Sequence, residues 1–302
     1  YTSPLPDPTL QRAMNPALSE RHALAVLGKQ RFTTPILWPL FLVPRLLPTG
    51  VELKLSMALN SPQFCLVATV KPPEGEGPRS PLPSYQIKIS KAQLYLQKYR
   101  LAPAALAHQE RILASPKGAL YPSNVLNTSC FTLAAGVKDH VKTVVLASKL
   151  PRMIYVYMVK RDSLSSMEAD PFCFDHNKIS NIHLEVDGHK YPNGQGYTPD
   201  FPTGNYVKDF ALFQRELSFT NPDLAFRLSD WEGGYTIFPF NLIPDRSFHC
   251  SDYLSVGENP SGTVTLHMNF SEELPHPITV FVTQEHNRTL ALYKERKPHW
   301  IE

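Results

Sequence analysis

The chain has 302 residues, of which 42% are hydrophobic and 19% are charged, and its formal net charge is +3. This composition excludes an intrinsically disordered chain, and the small net charge gives no reason to expect nucleic-acid binding as a main activity. The 29 prolines, almost twice the average share of about 5%, indicate many loops between short elements.

The first 35 residues are polar and interrupted by prolines, which predicts an arm or linker. Ser19 could cap a short helix that ends at Gly28. Residue 1 is Tyr and no signal-peptide pattern follows, so we expect a processed chain or part of a longer one, not secreted through a signal peptide. Residues 35–44 are too few and too rich in proline to span a bilayer, so we expect a buried or contact segment.

Strands dominate the rest of the chain. Apolar and polar residues alternate with a period of two in several segments, and others are short apolar runs bounded by turn residues. Strands are predicted at 51–59, 64–70, 85–101, 131–135, 141–146, 153–159, 182–186, 206–213, 235–242, 264–270 and 278–282. With one helix predicted at 104–115 and a proline-rich loop at 71–84, this pattern predicts an all-β sandwich or barrel.

Three of these segments carry further detail. Residues 153–159 are apolar on both faces, so we expect a second sheet on one side and a loop or a neighbouring subunit on the other. Asp187-Gly188 predicts a tight hairpin turn. The cleanest alternation lies in 264–270 and 278–282, which are predicted to form an antiparallel pair.

No specific catalytic motif is found, and the loose groupings favour structural roles. His183 and His189 flank Asp187 and could approach each other, but solvated hairpin residues are the commoner case. Cys173 lies near Asp175-His176, yet adjacency in sequence does not place a nucleophile beside a base.

The remaining candidates are weaker still. His249-Cys250 is an isolated pair of metal-ligand types, and the glycines at 194–196 and 233–234 are interpreted as turns rather than phosphate cradles. We therefore predict no catalytic, cofactor or metal residues, and no enzyme. Cys65, Cys130, Cys173 and Cys250 are expected to be buried free thiols, which fits a reducing compartment. The basic tail at 294–302 could clamp a neighbouring subunit or touch nucleic acid, but a frayed terminus is favoured.

A set of motifs in a shared order resembles a known family. The motifs are LLPTGVELKL (46–55) with 64–66, LAH (106–108), VDG (186–188), PDF (199–201), YV (206–207), GYTIF (234–238) with 242–245, and 261–270 with 273–275. Together, over about residues 40–293, they resemble the double-jelly-roll, hexon-like major capsid proteins of Maverick/Polinton-type, adintovirus-like or adomavirus-like DNA viruses. The match is to the C-terminal jelly roll of that family.

The resemblance implies an all-β, antiparallel jelly-roll sandwich at 36–293 with one or two short helices in loops, between the arm at 1–35 and the tail at 294–302. It implies a structural protein of the virion whose trimers tile an icosahedral shell. Its partners would be other copies of itself, penton and minor capsid proteins, and an upstream jelly roll or companion chain that this sequence lacks. Cofactors, a membrane span and a specific nucleic-acid site are not implied. Subunit contacts are expected at 35–44 and 153–159.

Other functions remain open at this stage. Jelly rolls also serve as lectin-like modules and receptor-binding heads, which need exposed aromatic residues around a concave site. A penton-type capsid protein with a single roll is another alternative. An enzyme of the cupin type would need His and carboxylate ligands clustered inside the barrel.

Overall fold

The structure is a computed structural model that describes residues 31, 33–43, 45–67, 86–218, 227–242 and 261–301. The helix predicted to end at Gly28 and the loop predicted at 71–84 lie outside the described residues. Most of the regular structure in the described part is β-strand, which confirms the predicted class.

The described residues form nine strands. They are β1 (Ala119–Leu133), β2 (Asp139–Lys149), β3 (Met153–Lys160), β4 (Ile179–Val186), β5 (His189–Tyr191), β6 (Ile237–Asn241), β7 (Ser261–Phe270), β8 (Ile278–Leu292) and β9 (Pro298–Ile301). Sheet A has the order β1-β8-β3-β6, with β9 also paired to β8, and sheet B has the order β2-β7-β4-β5. Every strand pairing is antiparallel.

The strand pairing identifies the topology. The first eight strands pair from the outside inward, as β1 with β8, β2 with β7, β3 with β6, and β4 with β5. Successive pairs alternate between the two sheets. A long antiparallel ribbon rolled in this way around one core is a jelly roll of eight strands. The predicted jelly-roll sandwich is therefore confirmed by topology.

The core lies between the sheets and follows the predicted alternation. On β7 the inward row, Val264, Leu266, Met268 and Phe270, is almost fully buried. On β8 the inward row is Ile278, Val280 and Val282. Each such side chain contributes about 1.5–3 kcal/mol by leaving water.

The predicted pairing of these two segments is wrong. β7 pairs with β2 and β4 in sheet B, whereas β8 pairs with β1 and β3 in sheet A. The connection at 271–277 crosses from one sheet to the other, so the two apolar rows meet through the core instead of through hydrogen bonds. Alternation shows which face of a strand is buried but not which strand lies beside it.

Short helices lie in the connections and before the first strand. They are α1 (Pro39–Leu42), α2 (Pro62–Cys65), α3 (Pro103–Leu113), the 3₁₀ turn η1 (Arg161–Leu164), α4 (Val207–Ser218) and α5 (Leu228–Glu232). α3 confirms the predicted helix. α2 replaces the start of the strand predicted at 64–70, of which residues 68–70 lie outside the described part.

The strand predicted at 206–213 is wrong, because α4 occupies these residues. Its buried positions, Asp209, Leu212, Phe213 and Glu216, recur every three or four residues, which is the helical period. Both buried carboxylates accept backbone hydrogen bonds, Asp209 from the N–H of Thr198 at 2.6 Å and Glu216 from the N–H of Asn241 at 3.2 Å. Burial raises the pKa of Asp209.

A second apolar cluster closes one end of the sandwich. It contains Leu40 of α1, Leu113 of α3, Tyr121 of β1, and Leu290 and Leu292 of β8. Leu40 and the partly buried Val43, Leu47 and Val51 thereby fix the described part of this segment to the jelly roll. The tail is also part of the fold, because β9 pairs with β8. The guanidinium carbon of Arg288 lies 4.5 Å from the ring centre of Trp300 in β9. The prediction of a frayed terminus is therefore wrong.

Candidate assembly surfaces

The outer face of sheet A carries an aromatic and apolar patch. Register places Cys130, Phe281 and Tyr157 side by side on β1, β8 and β3. The rings of Tyr157 and Phe281 stack with centroids 5.3 Å apart, and Phe174 packs on Tyr157 at 4.7 Å. Leu126, further along β1, is 55% exposed. We call these five residues the outer patch.

Strand β1 gives sheet A an edge without charge. It is 15 residues long and contains no Asp, Glu, Lys or Arg. Exposed edge strands usually carry charges that stop them from pairing with other chains. The start of this edge is covered, because Arg45 donates to the carbonyl of Leu120 at 2.7 Å and Tyr121 donates to that of Leu46 at 3.0 Å. Along 122–133, no strand of the described part pairs with the outer side of β1.

Two segments predicted as strands are not paired with any strand of the described part of the chain. Residues 51–60 and 86–100 have no strand assignment and make no backbone hydrogen bond within the described part of the chain. Their apolar side chains face solvent, for example Met57 at 75% and Tyr95 at 78% exposure. The strand predictions at 51–59 and 85–101 are therefore not confirmed, because a strand needs a neighbour that the described residues do not provide (Tyr85 itself is not described).

Of the two expected contact segments, 153–159 is mostly covered but contributes Tyr157 to the outer patch, and 35–44 is exposed in part. Residues 153–159 lie in β3, in the middle of sheet A, where Met153, Ile154, Val156, Met158 and Val159 are buried by the chain's own fold. In residues 35–44, Leu40 is buried in the second cluster, while Leu37 and Trp38 are 70% and 49% exposed. Among the described side chains of this segment, those at its beginning offer an apolar surface.

The structure separates the residues that were considered as a metal site. The Asp187-Gly188 turn forms as predicted, with φ of 48° and 83°, between β4 and β5. His183 stacks on His267 of β7 at 4.7 Å instead of approaching His189, and its Nδ1 bonds to Oδ1 of Asn181 at 2.8 Å. Burial and the neighbouring His267 lower the pKa of His183 to about 4. In the described residues, no three or more His, Cys, Asp or Glu side chains are placed to hold a metal ion.

The grouping around Cys173 does not form a nucleophile and base. Burial, with smaller effects from Asp175 and Asp170, raises the pKa of the Cys173 thiol to about 12. The ring of His176 stacks on Phe201 at 3.8 Å, and its Nδ1 accepts the N–H of Lys178 at 2.9 Å. Both side chains therefore have structural roles.

The remaining residues singled out in the sequence are the glycine turns, the other cysteines and His249-Cys250. A Cβ at Gly196 would lie 2.6 Å from the Cβ of His183, so this glycine allows a loop to pack against β4. Gly233 ends α5, where its N–H donates to Ser229. Cys65, Cys130 and Cys173 are free, but Cys65 and Cys130 are exposed, so their predicted burial is wrong. His249 and Cys250 lie outside the described residues.

One concave surface is relevant to the lectin-like alternative. A cavity of about 840 Å³ lies between α3, the start of β1 and residues 45–46. Its lining includes the cationic or ionisable side chains of Arg45, His108 and Lys117. Tyr121 is the aromatic residue in the described lining, and it is buried. Among the described residues, the lining of this cavity therefore does not include the exposed aromatic side chains that the lectin-like function requires.

Sequence reasoning missed most of β1, which was predicted only from residue 131. Polar residues such as Asn124, Asn127 and Thr128 interrupt the alternation there. The available signal was the lack of charge over 119–133, which is unusual for a segment of this length in a chain that is 19% charged.

Several solved structures of viral proteins resemble the chain. In the search of solved structures it resembles a chain of the Sputnik virophage solved by cryo-EM, with a TM-score of 0.37 and 16% identity over 62% of this chain and 39% of that one. It also resembles the mavirus major capsid protein, with a TM-score of 0.34 and 13% identity over 67% and 44%. It also resembles PBCV-1 VP54, fitted into a reconstruction of the Sputnik virophage. For this structure the TM-score is 0.33 and the sequence identity is 8%, over 61% of this chain and 51% of that one.

The chain thus spans between about two fifths and one half of the length of these solved chains. No protein-family model matches it, and no curated protein matches it. Among the described residues, no helix is long and apolar enough to cross a membrane.

Proposed function

We propose that this chain is a structural capsid protein of the virion, part of a hexon-like major capsid protein that trimerises and tiles an icosahedral shell. The observation that carries the proposal is the uncharged edge of β1 beside the outer patch, on an eight-stranded jelly roll. Both features favour a molecule that is built to be covered by other subunits.

The edge of β1 is the first feature that favours assembly. An unpaired strand edge attracts other strands, and natural monomers protect such edges with charges, bulges or covering loops. Over 122–133 the described structure has Pro122 but no charge and no covering strand. Permanent interfaces are large and apolar, and they tolerate an edge that would be a liability on a free monomer.

The position of the exposed apolar residues favours a shell protein over a binding head. The exposed Leu126 and Cys130 and the half-buried Phe281 lie on the face of a sheet, not around a concave site. A sheet face suits the repeated side-by-side packing of identical subunits, whereas a receptor- or glycan-binding site is concave.

The finer assignments are part of the same proposal. The family would be the Maverick/Polinton-type group, with residues 36–293 as the capsid domain after an arm at 1–35, and with β9 of the tail added to its sheet A. The partners would be neighbouring copies of the chain, penton and minor capsid proteins, and an upstream jelly roll or companion chain. No catalytic step is assigned to the chain.

The test is assembly of the chain, purified alone and co-expressed with the polypeptide encoded immediately upstream of Tyr1. We expect trimers by light scattering and larger particles by electron microscopy in at least one preparation. Leu126→Lys places a charge on the outer patch and should reduce assembly at least about tenfold. The matched control is Val141→Lys, at a side chain of similar exposure (58%) on β2, which should assemble normally.

Two outcomes would overturn the proposal. One is a monodisperse monomer with no larger particle in either preparation. The other is binding to a glycan array through the cavity beside α3, which would favour the lectin-like alternative.

A further inference from the structure

The outer edge of β1 has one stretch that no strand covers in the described part of the chain. The start of the edge is covered by contacts of residues 45–46 with residues 120–121, and Pro122 has no N–H to donate. The stretch without a neighbour among the described residues is therefore 123–133. Thr128 lies at its centre.

Geometry restricts how two copies of this edge can pair. A two-fold axis perpendicular to the sheet relates two antiparallel edges and keeps the inner faces of both copies on the same side. Residues of the same face then lie opposite each other, so the axis must pass through a residue and not between two residues. A pairing that uses the whole stretch 123–133 has its axis at Thr128.

The sequence of the stretch is self-complementary about Thr128. On the outer face, Leu126 of each copy lies opposite Cys130 of the other. On the inner face, Val125 lies opposite Phe131. The remaining pairs are Thr128 with itself, Asn127 with Ser129, Asn124 with Thr132, and Ser123 with Leu133. Apolar side chains thus meet apolar ones and polar meet polar ones, except at the ends, and such cross-strand pairs stabilise a sheet.

Moving the axis by one residue removes this match. With the axis at Asn127, all four members of the two apolar pairs lie opposite polar residues. With the axis at Ser129, only Val125 keeps an apolar partner, which is Leu133. The limits of the uncovered stretch and the pattern of its side chains therefore give the same centre.

Charge also favours a second copy as the neighbour of β1. The strand contains no Asp, Glu, Lys or Arg, so two copies meet without like charges opposite each other. The longer segment without a neighbouring strand among the described residues, 86–100, has no carboxylate. It has four cationic residues, Lys88, Lys91, Lys98 and Arg100. Beside β1 these cations, and Glu52 and Lys54 of residues 51–60, would find no charged partner on the strand.

We propose that two copies of this chain pair through residues 123–133 of β1, antiparallel and about a two-fold axis at Thr128. The two sheets A then form one continuous sheet, in which the outer patches of the two copies lie side by side. The inference rests on the proposed function, because it names what covers the edge of β1 in the assembly. A two-fold contact cannot lie within a three-fold trimer, so this contact joins one trimer to another.

The test is a disulfide between two copies at the axis. Directly opposite residues of antiparallel strands have Cα atoms about 4.5–5.5 Å apart, within the range of about 4.4–6.8 Å that a disulfide spans. Thr128→Cys should therefore link to its own copy under mild oxidation. The matched control is Thr132→Cys, exposed on the same face of β1, because in this pairing the two copies of that residue lie about 26 Å apart. Both variants also carry Cys65→Ser, Cys130→Ser and Cys250→Ser, so that these native thiols cannot react.

Non-reducing gels measure the linked dimer, and mass spectrometry identifies the linked peptide. We expect Thr128→Cys to form the dimer at least about tenfold faster than Thr132→Cys. A second pair of variants tests the contact without a disulfide. Thr128→Asp sets two carboxylates opposite each other at the axis and should weaken self-association at least about tenfold, whereas Thr132→Asp, opposite Asn124, should not.

Equal linking of the two cysteine variants, or no linking of Thr128→Cys in any preparation, would overturn the inference. So would protection of all the amides of 123–133 from hydrogen exchange in a monomer, since another part of the same chain would then cover the edge. Particles in which Thr128→Cys does not link would keep the capsid proposal and remove this one. Linked dimers that form no larger particle would keep the pairing and remove the capsid proposal.

Discussion

The guanidinium of Arg296 donates to the carbonyl oxygen of Thr49 at 2.7 Å and so joins positions 247 residues apart. This bond fixes the segment before residue 51 to the end of the jelly roll. The same side chain also binds Glu110. A single residue between β8 and β9 therefore connects the start of residues 51–60 and the helix that follows residues 86–100 to the same end of the jelly roll.

Arg296→Met should release both segments without unfolding the jelly roll. We expect the free energy of unfolding to fall by about 1–2 kcal/mol, because a charge-assisted hydrogen bond to a carbonyl is lost. Limited proteolysis should cut within 45–60 at least about threefold faster, since local opening needs less free energy. The control is Lys297→Met, at an exposed neighbour. Equal cutting rates in the two variants would show that Arg296 does not hold the segment.

Shortening a side chain should lower the free energy of unfolding much more on the inner face of sheet B than on its outer face. Val264 on β7 is fully buried, whereas Val141 on β2 is 58% exposed. Val264→Ala removes the same atoms as Val141→Ala but leaves a cavity between the sheets. We expect a loss of about 2 kcal/mol for the first and about 0.5 kcal/mol or less for the second. Urea unfolding measures both, and equal losses would contradict the assigned core.

How much of this fold could be predicted depends on which interactions act locally. The inward rows of β7 and β8 were predicted correctly, because burial on one face leaves a period of two in the sequence. The predicted pairing of β7 with β8 is wrong. Whether two strands hydrogen-bond within one sheet or face each other across the core depends on the topology of the whole domain, not on the local sequence. α4 was misassigned because Val207, Phe210 and Phe213 are also frequent in strands, and the buried Asp209 and Glu216 gave no apolar signal.

The candidate surfaces could be predicted less well than the core. Alternation in 51–59 indicates a half-buried strand, and only the structure reveals that its partner is absent from the described chain. The outer patch is formed by register, which brings Cys130, Phe281 and Tyr157 together from three distant segments. No local pattern contains that information.

Acid should destabilise the domain through its buried and half-buried histidines. The pKa of His183 is lowered from 6.5 to about 4, first by burial and then by His267. Burial also lowers the pKa values of His140, His176 and His286. A histidine with a lowered pKa binds fewer protons in the folded than in the unfolded state, so its contribution to stability is complete above about pH 6.5 and is lost as the pH falls towards 4.

Unfolding by urea at pH 7 and at pH 5 measures this effect. We expect lower stability at pH 5, and His183→Gln should reduce the difference between the two pH values. The control is His189→Gln, on the exposed strand β5, which should keep the full difference. If His183→Gln leaves the stability difference between pH 7 and pH 5 unchanged, the stacked pair of His183 and His267 does not cause the acid sensitivity. This conclusion does not depend on whether the variant is more or less stable than the original chain.

Native alkylation of cysteines should distinguish the surface of the free chain from that of an assembly. Cys65 and Cys130 are exposed, and iodoacetamide at pH 8 should modify both within minutes. Cys173 should stay unmodified, because burial and two nearby carboxylates raise the pKa of its thiol to about 12 and little reactive thiolate forms. If the outer patch lies between subunits, Cys130 should become protected in assembled particles by about tenfold or more. Mass spectrometry of particles and free chain gives the ratio at each site, with the unfolded chain as the fully reactive reference. Equal labelling of Cys130 in both states would place the subunit contact elsewhere on the jelly roll, even if particles form.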